Sequence, residues 1–287
     1  PRLVAFTSAH AHYSILKAIT LLGLGRRSLV VVACDERGRM RPDALALAIA
    51  AARERGERPF FVNATAGTTV LGAFDPLPAL ADLCAHNDLW LHVDGTFGAS
   101  ALLSPTQRPR MTGCERADSL AWNFHKLLGI TQQCSALLVR HPGALRAAFA
   151  THADYLFQPD KPHADLDTGD LGFACARRND VLKLWLTWKF RGEAGLAARI
   201  DRAVELADAC HARLAADPRF VSPPRPRGST CASGGSRRGC ARSTAASPAS
   251  TQPCTSSPRG SRPACSPTAP PCSPTSRSTR SPTASAC

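Results

Sequence analysis

A lysine, a histidine and an aspartate lie in two short segments of this chain and have the side chains needed to hold an aldehyde-bearing cofactor. Lys126 follows His125 in the segment 122–128, and Asp94 ends the apolar run 91–94. A lysine ε-amine can form a Schiff base with an aldehyde, and an aspartate at a strand end can keep a pyridine nitrogen protonated, as pyridoxal phosphate requires. Neither segment suffices alone, because His-Lys pairs are common on surfaces and strands ending in Asp also occur in nucleotide and metal sites.

The segments around these residues predict alternating strands and helices. Apolar residues spaced three and four apart indicate helices, and continuous β-branched runs indicate buried strands. Predicted helices cover residues 14–22, 42–53, 181–190 and 196–215, and a further helix begins at Asp75 as N-cap, with a first-turn proline, and ends near Asn87. Predicted strands cover residues 3–6, 29–33, 59–62, 89–93, 119–122 and 135–139. This alternation indicates an α/β fold, with a mainly parallel sheet that has helices on both faces.

The candidate side chains all follow predicted strands. Ligands of open parallel sheets bind at the carboxyl ends of the strands. Asp94 ends one strand, Lys126 follows the end of another, and the small-residue turn 66–69 follows a third. We therefore expect these three segments to meet at one edge of the sheet. An ATP site is excluded, because no G-x-x-x-x-G-K-[ST] loop occurs.

The strong positive charge of the chain is mostly local. The formal net charge is +13, but residues 222–287 contain nine arginines and no acidic residue, which leaves about +4 for the rest. Binding to nucleic acid or membranes would therefore depend on the tail alone.

The cysteines divide in the same way, because six of the twelve lie in the tail and the other six are scattered singly. They form no C-x-x-C pair and have no histidine at zinc spacing, which is typical of a reduced, cytoplasmic protein without a metal site. No apolar run approaches the roughly 18 residues that span a membrane.

Eight motifs stand together in the order and spacing of one enzyme family. They are Phe6-Thr7-Ser8, His12-Tyr13-Ser14, FVNATAGTTVLGAFDP from Phe61, LWLHVD, ERADSLAWNFHK, QCSALLV, DYLFQPDK and LDTGD. Together they resemble the pyridoxal-phosphate-dependent decarboxylases of acidic amino acids, the glutamate and cysteine-sulfinate decarboxylase family. The resemblance implies the large domain of a fold-type I, aminotransferase-like enzyme. It also implies removal of the α-carboxylate from glutamate, aspartate or cysteine sulfinate, with the choice among them left open.

The resemblance assigns roles to the candidate residues. Lys126 would bind the cofactor aldehyde covalently, and Asp94 would pair with the pyridinium nitrogen, which makes the ring an electron sink. His125 would lie near the cofactor phosphate, and Thr69 beside the ring.

Two further residues have roles that only the resemblance supplies. His12 matches the histidine that stacks on the cofactor ring. Tyr155 matches a mobile-loop tyrosine that protonates the carbon from which carbon dioxide has left. In the family this loop reaches into the neighbouring subunit, so the resemblance implies a homodimer.

The chain departs from the family near the predicted site. Phe124 stands where the family usually has proline, and Gly95-Thr96-Phe97 stands where it has small residues followed by Trp. Thr96 places a hydroxyl and a branched carbon near the expected ring position, which could tilt the cofactor.

The tail is the larger departure. From Ser222 onward only Ser, Pro, Arg, Gly, Thr, Cys, Ala and Gln occur, so this segment has no residues with which to build a core. We expect a large domain over residues 1–220, truncated at its N-terminus, and a disordered tail over 221–287 in place of the family's small domain and its arginine for the substrate α-carboxylate. The composition suggests a frameshift near Val221. Two alternatives stay open: an inactive truncated relative, and a nucleic-acid-binding protein that acts through Arg-Ser pairs in the tail.

Overall fold

Six strands form one sheet in the computed structural model, which describes residues 1–151, 160, 162–163, 166, 168–174 and 177–220. The strands are β1 (Leu3–Ser8), β2 (Leu29–Val32), β3 (Arg58–Thr65), β4 (Trp90–Asp94), β5 (Ser119–Asn123) and β6 (Ser135–Val139). They lie in the order β2-β1-β3-β4-β5-β6. The first five are mutually parallel and β6 runs antiparallel to β5. The predicted α/β fold with a mainly parallel sheet is confirmed.

Five α-helices accompany the sheet in the described part of the chain. They are α1 (Ser14–Leu21), α2 (Pro42–Glu54), α3 (Leu77–Asn87), α4 (Ala144–Phe149) and α5 (Asp180–Ala216). Helix α5 is interrupted at Gly192, whose φ of 66° and ψ of 174° are not helical. This break corresponds to the two helices predicted over 181–190 and 196–215. Short 3-10 helices, including Gly98–Leu103, connect β4 to β5.

Alternate residues of the central strands build the main core. Because successive side chains of a strand point to opposite faces, every second residue of β1, β3 and β4 faces the same layer of helices. The residues that share this layer, all at most 2% exposed, are Val4, Phe6, Val62, Ala64, Leu91 and Val93 from the strands, with Leu45, Ile49, Leu77 and Leu80 from α2 and α3. A second cluster joins the segment after β5 to the second half of α5 through Phe124, Leu128, Ile130, Leu196 and Ile200.

The predicted role of Asp75 as an N-cap is wrong. Helix α3 begins at Leu77, its N-cap is Pro76, and no side chain caps it. The Asp75 carboxylate instead accepts hydrogen bonds from the backbone N–H of Met40 at 2.6 Å and of Thr65 at 2.7 Å. The side chain is buried between the segment before α2 and the end of β3, where its oxygens satisfy both of these backbone N–H groups.

Candidate active site

The strands that carry the candidate residues end together. In the parallel register Thr65 of β3 lies beside Asp94 of β4, and Asp94 lies beside Ala121 of β5. The segments that follow these strands therefore leave the sheet at one edge, which we call the carboxyl edge. The convergence predicted for the turn after β3, for Asp94 and for the segment that contains Lys126 is confirmed for the strand ends.

Asp94 is buried, with 7% of its surface exposed. Its Oδ1 accepts a hydrogen bond from the backbone N–H of Thr96 at 3.2 Å. Among the described residues no donor is bonded to Oδ2, so this oxygen can accept a proton-bearing group of a ligand. His92 precedes it by two residues on the same strand, and burial lowers the pKa of that imidazole, an effect that the charge of Asp94 partly opposes.

Lys126 lies on a tight turn that is anchored on both sides. Its N–H donates to the carbonyl of Asn123 at 3.1 Å, and Phe124 and Leu128, which flank it, are 8% and 1% exposed. The lysine itself is exposed. Its Nζ donates to Thr96 Oγ1 at 3.0 Å, so the amine reaches back to the segment that follows Asp94.

The His125 ring contacts the backbone of Cys134 through one of its two nitrogens. Its Nδ1 lies 2.8 Å from the carbonyl oxygen and 3.1 Å from the backbone nitrogen of Cys134. Whichever tautomer is present, this contact orients the ring and leaves Nε2 as the nitrogen that a ligand can reach.

His12 and Thr69 follow β1 and β3 at the carboxyl edge. The His12 Nδ1 lies 2.9 Å from Ser14 Oγ, and its ring contacts the Tyr13 ring with a centroid separation of 4.1 Å. Thr69 is exposed, whereas the adjacent Thr68 is buried and accepts a hydrogen bond from the Ala73 N–H at 3.0 Å. Both residues are placed on the predicted edge, and their roles stay predictions. Tyr155 lies outside the described residues.

Three groups at the carboxyl edge were not among the predicted site residues. Thr96 was noted only as a departure from the family, yet it contacts both Asp94 and Lys126. The Ser8 and Thr65 hydroxyls, at the ends of β1 and β3, are buried without a hydrogen-bond partner among the described residues. A lone hydroxyl at a strand end carries no signal in the sequence, because only the fold shows that the hydroxyl is buried.

The loops at this edge pack too closely for side chains at two positions. A Cβ on Gly67, whose φ is +87°, would lie 3.0 Å from the Phe97 ring, and a Cβ on Gly98 would lie 2.5 Å from the Ala66 carbonyl oxygen. The turn after β3 and the segment after Asp94 therefore pack closely against each other.

These side chains fit a pyridoxal cofactor. A buried carboxylate with one available oxygen suits a protonated ring nitrogen, and an exposed amine on an anchored turn suits an aldehyde. No group of three or more potential metal ligands occurs among the described residues. None of the described helices has both the length and the apolar character needed to cross a membrane.

Comparison with known proteins agrees with the geometry. Residues 1–226 match the model of the pyridoxal-dependent decarboxylase conserved domain. The structure is similar to that of mouse CSAD, with 48% sequence identity and a TM-score of 0.75 over 79% of this chain and 47% of the mouse chain.

Two further structures are similar at lower identity. The glutamate decarboxylase domain of diaminobutyrate-pyruvate transaminase and L-2,4-diaminobutyrate decarboxylase from Vibrio parahaemolyticus is 29% identical, with a TM-score of 0.67 over 79% of this chain and 44% of that one. Catharanthus roseus tryptophan decarboxylase in complex with L-tryptophan is 27% identical, with a TM-score of 0.71 over 79% and 47%. The chain thus spans less than half the length of each of these structures.

Proposed function

The chain belongs to the pyridoxal-dependent decarboxylase family, and on this premise we propose that the protein containing it removes the α-carboxylate of an acidic amino acid. One observation carries the proposal. The exposed amine of Lys126 and the buried carboxylate of Asp94 are joined through a single residue, Thr96, at the carboxyl edge of the sheet. An amine and a carboxylate so placed are the two groups that this cofactor needs.

When bound, pyridoxal phosphate supplies an electron sink for the electron pair released as a carbon–carbon bond breaks. Asp94 would hold a proton on the ring nitrogen. Because the Asp94 carboxylate is buried, water would not screen its attraction for that protonated nitrogen. Lys126 would hold the cofactor through a bond between its amine and the aldehyde carbon.

The remaining candidate residues would bind and orient the cofactor and protonate the substrate. His12 would lie against the ring, Thr69 beside it, and His125 would offer its Nε2 to the phosphate, since its Nδ1 is held by Cys134. Tyr155 would deliver a proton to the substrate carbon that has lost carbon dioxide, as a phenol can in a site closed to water. These assignments rest on the resemblance and on the position of the first three residues at the carboxyl edge.

The proposed substrate class is acidic amino acids. The motifs of this chain resemble those of the glutamate and cysteine-sulfinate decarboxylases, whereas the tryptophan decarboxylase is only 27% identical to it. The greater similarity favours glutamate, aspartate or cysteine sulfinate over an aromatic substrate.

The proposal extends to assembly and compartment. A homodimer follows from the family's exchange of a catalytic loop between subunits. A cytoplasmic location is supported by the free thiols of the described cysteines, which are Cys34, Cys84, Cys114, Cys134 and Cys210.

Replacing Lys126 tests the proposal directly. Full-length protein that contains this chain, supplied with pyridoxal phosphate, should show the visible absorbance of a lysine-bound cofactor and release carbon dioxide from one of the three acids. Lys126→Ala should abolish that absorbance and lower activity by at least about a thousandfold, because the covalent nucleophile is lost.

Lys189→Ala is the matched control, since Lys189 is an exposed lysine of α5 and should leave both signals unchanged. An unaltered visible absorbance in Lys126→Ala would refute the assignment. Carbon dioxide release from tryptophan but from none of the acids would refute the substrate class.

A further inference from the structure

Thr96 connects the two residues that the cofactor needs through three of its own groups. Its N–H donates to Asp94 Oδ1 at 3.2 Å, and its Oγ1 accepts a hydrogen bond from Lys126 Nζ at 3.0 Å. Its carbonyl accepts from the N–H of Asn123 at 3.2 Å, three residues before the lysine. One residue thus ties the end of β4 to the end of β5 and to the amine.

The backbone on both sides of Thr96 is closely packed. The preceding Gly95 lies so close to its surroundings that a Cβ there would be 3.0 Å from the Ala99 side chain and 3.2 Å from the Ala121 carbonyl oxygen. Residues 98–101, which follow, are all buried. Threonine is also β-branched, and its χ1 is therefore restricted. The hydroxyl has a defined position before any ligand arrives.

Lys126 lacks such support along its own side chain. It is exposed, and its four methylenes allow it many rotamers. Within the described part of the chain, Thr96 Oγ1 is the acceptor to which Nζ is bonded. Without that acceptor the amine would sample orientations that point into solvent.

We propose that Thr96 is a positioning residue, whose hydroxyl holds the Lys126 amine on the Asp94 side of the turn so that it meets an incoming cofactor aldehyde. The inference rests on the proposed function, because it assumes that Lys126 takes up pyridoxal phosphate. Thr96 acts through Lys126 and has no chemical role of its own. Alanine or valine at this position would remove the acceptor and leave the amine mobile.

The test is the rate at which Lys126 captures pyridoxal phosphate. Full-length cofactor-free protein is mixed with pyridoxal phosphate, samples are reduced with borohydride at set times, and modified Lys126 is quantified by peptide mass spectrometry. Thr96→Val keeps the branched shape and removes the hydroxyl, so it should slow capture about 3- to 10-fold, the effect of one lost hydrogen bond. Thr96→Ser restores the hydroxyl and should stay within about twofold of the wild type.

Two controls separate positioning from general damage. Thr20→Val makes the same change at an exposed threonine of α1, whose hydroxyl donates to the Leu16 carbonyl within its own helix, so it should not alter capture. Thermal unfolding of each variant reports structural loss, and the Thr96→Val midpoint should match the wild type within about 2 °C.

The outcomes are distinct. Capture by Thr96→Val at the wild-type rate or faster would overturn the inference and leave the proposed function intact. Equal slowing in Thr96→Val and Thr96→Ser, with lowered unfolding midpoints, would also overturn it, because shape and not the hydroxyl would then matter. If wild-type protein fails to modify Lys126, the proposed function itself is refuted, and the inference with it.

Discussion

At the scale of single residues, two aspartates at the carboxyl edge have different roles. Asp94 and Asp75 are both buried, at 7% and 3% exposure. The two oxygens of Asp75 accept the backbone N–H groups of Met40 and of Thr65, the last residue of β3, whereas no donor among the described residues is bonded to Oδ2 of Asp94. Asp75 therefore stabilises the loops that surround the site, and Asp94 is the carboxylate that can take part in chemistry.

Asp75 should make the stability of the protein depend on pH. Burial raises the pKa of its carboxyl from 3.8 to about 6, even though the two N–H groups favour the charged form. Between about pH 4 and pH 6 the folded chain therefore holds a proton that the unfolded chain has lost, so the free energy of unfolding contributed by Asp75 falls as pH rises.

Asp75→Asn removes this titration. The free energy of unfolding of the wild type minus that of the variant should fall by up to about 3 kcal/mol between pH 4 and pH 6, measured by urea unfolding. Asp82→Asn, which changes a carboxylate of α3 that is 70% exposed, should give a nearly constant difference. A pH-independent difference for Asp75→Asn would show that Asp75 does not titrate in this window.

At the scale of elements, α5 combines two helices with different surroundings. Its first half presents Val181, Trp185 and Phe190 to solvent, at 66%, 56% and 85% exposure, whereas its second half buries Leu196 and Ile200. The change occurs at Gly192, where φ is 66° and ψ is 174°. Only glycine adopts this conformation readily, so the direction of the second half depends on this residue.

Alanine substitutions at Gly192 and at the nearby Gly195 distinguish strain at the break from the general effect of replacing a glycine by alanine. Gly192→Ala should lower the free energy of unfolding by about 1 to 3 kcal/mol, because an L-residue is strained at this φ and ψ. Gly195→Ala, inside the helix, should change the free energy of unfolding by less than about 1 kcal/mol. Alanine favours a helix, and this gain is offset by a close contact, because the new Cβ would lie 3.3 Å from Arg191 Cβ. Equal effects of the two substitutions in chemical denaturation would contradict this account of the break.

At the scale of the described molecule, the second half of α5 closes the core beneath the Lys126 turn. Leu128, two residues after the lysine, and Phe124, two before it, pack in one cluster with Leu196 and Ile200. Residues about 70 apart in sequence thus determine how firmly the turn is held. The site depends on an element that contributes no catalytic side chain.

Ile200→Ala should measure this support. Ile200 is fully buried, so truncation should lower the free energy of unfolding by about 2 to 5 kcal/mol. Leu206→Ala, on the same helix at 52% exposure, should cost less than about 1 kcal/mol. Similar losses for both variants in urea unfolding would mean that α5 does not pack on the cluster as the structure shows.

The order of strands and helices was predictable because it depends on local patterns. Strand β6 matches its predicted bounds of 135–139, and α2 differs by one residue at its end. The antiparallel direction of β6 was not predicted, although its connection to β5, residues 124–134, is shorter than the dozen or more residues that a parallel crossover needs. Asp75 was misassigned because an aspartate before a proline and a helix usually acts as an N-cap, and only the fold brings Met40 within reach.

By itself the sequence determined which strands exist and that Asp94 and Lys126 follow two of them, because hydrophobic periodicity and motif spacing act over short stretches of chain. Tertiary structure decided that the Lys126 amine bonds Thr96, 30 residues earlier, and that Thr96 also bonds Asp94. It likewise decided that the Cys134 backbone holds His125 through Nδ1. Hydrogen bonds between distant segments depend on where the sheet places them, and no local pattern encodes that position.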